Sequence, residues 1–119
     1  MAFNFEKLTV WQKAMDLNDR IYRATAGFPG EERFGLTNQI RRSAVSIVSN
    51  IAEGSSRSSA TEYARFIEIA SGSLFELVAQ LTIAVRQNLL SAPDFESLYT
   101  DSEEISKMLS GLRKSLLKS

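Results

Sequence analysis

Along four stretches of this chain apolar residues recur every three or four positions, and strand-like alternation competes in none of them. That spacing sets the apolar side chains on one face of an α-helix. In the first stretch, residues 9–26, the row is Val10, Ala14, Leu17, Ile21 and Ala24. Thr9 and Gln12 have the spacing of a capping box at its start, and Gly27-Phe28-Pro29-Gly30 ends it. The second stretch, residues 34–56, carries Leu36, Ile40, Ala44, Ile47 and Ile51. Val45, Val48 and Ala52 widen its apolar sector beyond what one core requires. Gly54-Ser55-Ser56 and Ser58-Ser59 form the next break, and Ser59 with Glu62 offers a second capping box.

The third stretch, residues 60–90, is the longest, and as a helix would span ~45 Å. Phe66, Ala70, Leu74, Leu77, Leu81 and Ala84 form one stripe, and Ile67, Phe75, Val78 and Val85 extend it around the cylinder. Only a narrow polar line remains, through Arg65, Glu68, Gly72, Glu76 and Gln80. Three neighbours in one small bundle would not cover so apolar a helix, so a contact between subunits is expected. Ser91, followed by Pro93 and Asp94, starts the fourth helix, residues 92–118. Its seam, Phe95, Leu98, Ser102, Ile105, Leu109, Leu112 and Leu116, is spaced alternately by three and four, which suits shallow-angle packing. Acids lead and bases trail along it, complementing the helix dipole. Short loops make successive helices antiparallel neighbours. The expected fold is therefore all-α: residues 1–119 as a single domain, an antiparallel up-down-up-down four-helix bundle.

Composition narrows the chemistry. The chain has 119 residues, 44% of them hydrophobic, with 14 basic and 14 acidic side chains balancing to zero net charge. Residues 1–57 hold eight bases and six acids, and the rest six and eight, so no half is strongly basic. Proteins that grip nucleic acid through phosphates concentrate positive charge, so this balance argues against strong binding. Cysteine and histidine are both missing, which removes disulfides, thiolate nucleophiles, imidazole catalysis and the commonest zinc ligands. A di-iron bundle built on Glu-x-x-His pairs is excluded for the same reason. Gly30-Glu31-Glu32-Arg33-Phe34-Gly35 is not a phosphate loop. The N-terminal residues carry no apolar run of signal length, and no segment approaches 18 uninterrupted apolar residues, so a cytoplasmic location without membrane contact is expected. No catalytic, cofactor-binding or metal-binding residue is assigned.

Some residues go beyond packing. Gln39, Arg42, Ser46, Asn50 and Glu53 line one side of the second helix. One role for them is structural: Ser46 admits a close neighbour, Asn50 fixes register through buried hydrogen bonds, and Arg42 meets Glu68 or Glu76 of the third helix. The other is a groove for a phosphate or an RNA strand, in which Arg41, Arg42 and Arg57 would contact nucleic acid. The structural role is the expected one, since charges near a bundle seam usually find partners. Arg20, Arg23 and Arg33 add to the basic residues of the first half, but Asp16, Asp19, Glu31 and Glu32 are interleaved with them. Gly72, between Ser71 and Ser73, is costly inside a helix and is expected at a close helix–helix contact. Trp11, Met15 and Tyr22 either complete the core or present a partner surface.

The strings Phe5 to Ala14 (FEKLTVWQKA), Phe28-Pro29 with Glu32 and Phe34-Gly35-Leu36-Thr37, Gln39 to Gly54 (QIRRSAVSIVSNIAEG), and Ala70 to Glu76 carry a resemblance. Spread in order over about two thirds of the chain, they resemble the bacterial four helix bundle proteins, also called 23S rRNA intervening-sequence proteins. The resemblance implies a four-helix bundle, assembly into homopentamers and no enzymatic activity. Some such proteins are encoded within elements inserted in large-subunit ribosomal RNA genes. A similar bundle, the accessory variability protein of diversity-generating retroelements, forms a basic pentameric barrel that works with a reverse transcriptase. This chain departs from that relative in being neutral. The expected function is a non-enzymatic homo-oligomeric scaffold or adaptor of unidentified partner. A nucleic-acid-binding accessory protein is the alternative, and an enzyme using Arg42, Glu53, Glu68 and Glu76 ranks third.

Overall fold

Four α-helices account for most of the described residues, 2–118, in a computed structural model. They are α1 (Thr9–Thr25), α2 (Leu36–Ser55), α3 (Ala60–Arg86) and α4 (Ala92–Leu117). Short 3-10 turns at Asn4–Lys7 and Gly30–Glu32 precede α1 and α2. Each helix packs on its sequence neighbours, and α1 closes the ring against α4. The cross-helix contacts fix the direction of each pair. Ser43 reaches Gln80 while Ser46 reaches Ser73, so α2 and α3 run antiparallel. Lys13 pairs with Glu104, and Arg20 further along α1 pairs with the earlier Asp101, so α1 and α4 do too. The result is the expected up-down-up-down bundle, 46 Å long.

The core comprises the periodic rows. Leu17, Ile21, Ile40, Ile47, Ile51, Ile67, Leu74, Leu77, Leu81, Leu98, Ile105 and Leu109 are all fully buried. Each such side chain contributes roughly 1.5–3 kcal/mol relative to leaving it in water. Ser102, at a seam position of α4, is buried as well and donates its hydroxyl to Leu98 O at 2.8 Å, so its polarity is satisfied within its own helix.

Helix ends follow local chemistry, with three departures from expectation. Ser59 and Ser91 cap α3 and α4, accepting from the N–H groups of Glu62 and Asp94 at 3.1 and 3.2 Å. Thr9 and Gln12 do not form a capping box. Leu8 is the capping residue, and the Gln12 side-chain amide instead donates to Glu6 O at 2.8 Å. Helix α2 begins at Leu36, leaving Phe34 in the preceding turn with 88% of its surface exposed. Helix α3 stops at Arg86, because Asn88 takes a left-handed backbone (φ 60°) and folds the N–H groups of Leu89 and Leu90 back onto Ala84 O. That reversal lets Leu90 enter the core.

Candidate functional site

Helices α2 and α3 share the closest seam of the bundle, and the polar residues singled out in the sequence gather on it or beside it. At one end Gly54, a buried position inside α2, faces Phe66 and Tyr63 of α3. A Cβ there would stand 2.8 Å from Phe66 Cβ and 3.1 Å from Tyr63 Cδ1, so only glycine fits without movement. The sequence pattern marks Gly54 as the start of a break, but the helix continues through it to Ser55. Burial pushes the Tyr63 phenol above its ordinary pKa.

In the middle of the seam, Ser46 and Ser73 share a hydrogen bond of 2.7 Å. Asn50 donates to Ser46 O and Ser46 Oγ at 2.8 and 3.1 Å, so it buttresses Ser46 within α2 and does not itself reach across. The register is set instead by Ser46–Ser73 and by Ser43, whose hydroxyl donates to Gln80 Oε1 at 2.9 Å. Gln80 is thus a buried seam residue and not part of the exposed polar line on α3. Ser43→Ala would leave that amide oxygen buried without its donor, and is expected to cost ~1–3 kcal/mol in urea unfolding. Adding Gln80→Leu should recover most of the loss, because replacing both partners removes the unmet group. A double variant no more stable than Ser43→Ala would refute this role for the pair.

The arginines are divided among different tasks. Arg41 donates to Thr25 Oγ1 and Tyr22 O at 2.9 and 3.2 Å and lies 4.5 Å over the Tyr22 ring, which ties α2 to the last turn of α1. Its positive charge sits where the helix dipole of α1 is negative. Arg57 pairs with Glu53 at 2.7 Å and covers the Phe66 ring. Arg42 meets neither Glu68 nor Glu76. Glu68 pairs with Arg113 of α4 at 2.8 Å, and Arg42, Gln39 and Glu76 are exposed, with no side-chain hydrogen bond or ion pair among the described residues. Arg42, Glu53, Glu68 and Glu76 therefore do not converge on a common centre. Among the described residues no group of three or more acidic side chains comes together as a metal site.

Gly72 also departs from expectation: a Cβ there would meet nothing within 4 Å, and the contact to α2 is made by its neighbour Ser73. Trp11 is partly buried against the core with its ring edge-on to Phe5, whereas Tyr22 stays 40% exposed beneath Arg41. Around Gly72 the outer surface of α3 sets large apolar side chains beside Glu68 and Glu76. Ile69, Phe75 and Ile83 are 46, 69 and 49% exposed, and Val45 of α2, in a hollow with Tyr22 and Arg41, is 41% exposed. Helix α3 is long and apolar enough to cross a membrane by length and composition, yet only 33% of its most apolar stretch is buried within the chain. Between α3 and α4 runs an open groove of about 320 Å³, lined by Leu74, Phe75, Val78 and Tyr99 with Glu103 and Lys107 at its polar side.

No curated protein matches the chain. It is similar in structure to a protein with unknown function from the S23 ribosomal protein family of Bacteroides thetaiotaomicron VPI-5482. The TM-score is 0.80 and the identity 28%, covering 89% of this chain and 99% of the other. The family model described as 23S rRNA-intervening sequence protein matches residues 6–111, nearly the whole bundle from the first 3-10 turn to the last turns of α4. The chain belongs to the 23S rRNA-intervening sequence protein family.

Proposed function

We propose that this protein is a non-enzymatic scaffold of the cytoplasm that works as an assembly of its own copies. The observation that carries this reading is the set of large apolar side chains that α2 and α3 leave exposed: Val45, Ile69, Phe75 and Ile83. Single apolar residues are ordinary on a surface, but several large ones on one helix, with Phe75 lining an apolar groove, are the mark of a partner site. Gly72 adds to it, since a mid-helix glycine costs about 1 kcal/mol and this one meets no neighbour inside the chain. Five copies is the number the family resemblance implies.

Sedimentation velocity at micromolar concentration is expected to give a species several times the 13.3 kDa of one chain. A monomer there would refute the proposal. The nucleic-acid reading has less support, because Arg41 and Arg57 are already engaged within the chain and only Arg42 of the three stands open.

A further inference from the structure

Resting on the self-association reading, we infer that the contact between copies sets α2 of one chain against α3 of the next and is keyed by Arg42 of one copy meeting Glu76 of the other. Both side chains are exposed and have no ion-pair partner among the described residues. Arg42 shares its stripe of α2 with Val45 and Ser49, each three or four residues from the last. Glu76 shares its stripe of α3 with Ile69, Gly72, Ala79 and Ile83 in the same way.

Charge decides between the possible pairings. Two α3 helices packed parallel bring each charge against its own copy. Packed antiparallel and centred on the row, they oppose Glu76 to Glu76 and bring Arg65 beside Arg86. Like charges placed opposite one another disfavour both arrangements. Setting α2 against α3 opposes unlike charges. The heights also agree. Ser43 lies level with Gln80 and Ser46 with Ser73, which puts Arg42 within ~5 Å of the height of Glu76 along the bundle. Two copies side by side and pointing the same way therefore bring these helices together antiparallel, with Arg42 and Glu76 in reach of each other's long side chains. Val45 then meets the region around Gly72, where nothing fills the space above the glycine. Because such a contact uses different surfaces on its two sides, repetition closes a ring when the rotation permits.

Charge reversal tests this directly. Arg42→Glu and Glu76→Arg should each weaken association about tenfold or more by sedimentation equilibrium, and the double reversal should return to within about threefold of the wild type. Recovery in the double variant excludes misfolding as the cause of the single losses. Wild-type association that neither reversal alters would overturn the pair while leaving self-association standing. A monomeric wild type would remove both. Association that appears only when single-stranded RNA is added, lost in Arg42→Glu but kept in Glu76→Arg, would assign Arg42 to a phosphate strand instead.

Discussion

Gly54→Ala is expected to lower stability by ~1–3 kcal/mol, the usual cost of forcing an extra methyl into a packed interface. In thermal unfolding this corresponds to a fall in Tm of roughly 4–12 °C for a chain of this size. The direction runs against local propensity, since alanine is favoured over glycine in a helix by about 1 kcal/mol. What overrides it is the crossing of α2 and α3. The atom nearest to the added methyl is Phe66 Cβ at 2.8 Å, and Tyr63 O stands at 3.3 Å. Both are fixed to the α3 backbone, so no side-chain rotation clears the space and the helices themselves must separate. Gly111→Ala is the control. It lies in α4 with nothing within 4 Å of the added atom, and should gain up to about 1 kcal/mol. Equal effects at the two positions, or a gain at Gly54 with a loss at Gly111, would refute the close crossing.

Two apolar residues of α3, two positions apart, should behave in opposite ways. Leu77 is 0% exposed at the centre of the bundle, and Leu77→Ala is expected to cost ~2–5 kcal/mol through lost burial and the cavity left behind. Against a typical total of about 5–15 kcal/mol, that is a large share of the fold's stability. Phe75 is 69% exposed, and Phe75→Ser should leave the stability of the single chain within about 0.5 kcal/mol. Its effect belongs to association, so it should flatten the dependence of Tm on protein concentration that an assembling protein displays. A Phe75→Ser chain that unfolds as readily as Leu77→Ala would mean that this face is core and not contact surface.

Local chemistry explains which elements were legible in the sequence. The rows Val10 to Ile21, Ile40 to Ile51, Ala70 to Ala84 and Leu98 to Leu109 enter the core as their spacing requires, because a helical period commits one face to one environment. Ser59 and Ser91 cap α3 and α4 because each bond is made within three residues of the chain. Thr9 is not the cap because it is itself the first residue of the helix, with Leu8 at the capping position, and Gln12 bonds Glu6 O instead. Arg42 does not meet the expected Glu68 or Glu76, and Asn50 bonds within α2, because periodicity locates a residue on a face without locating what stands opposite.

The amino-acid order by itself determined four helices, their buried rows, their antiparallel succession and the absence of thiol and imidazole chemistry. All of these depend on residue type and on spacings shorter than one helix. Only the packed bundle decided that Gln80 is buried, that Arg41 is bound to α1, and that Gly54 and not Gly72 abuts a neighbouring helix. It also decided that Ile69, Phe75 and Ile83 face outward while equally apolar neighbours face inward. Each of these depends on the angle and height at which one helix meets another, and that geometry is set jointly by residues far apart in the chain.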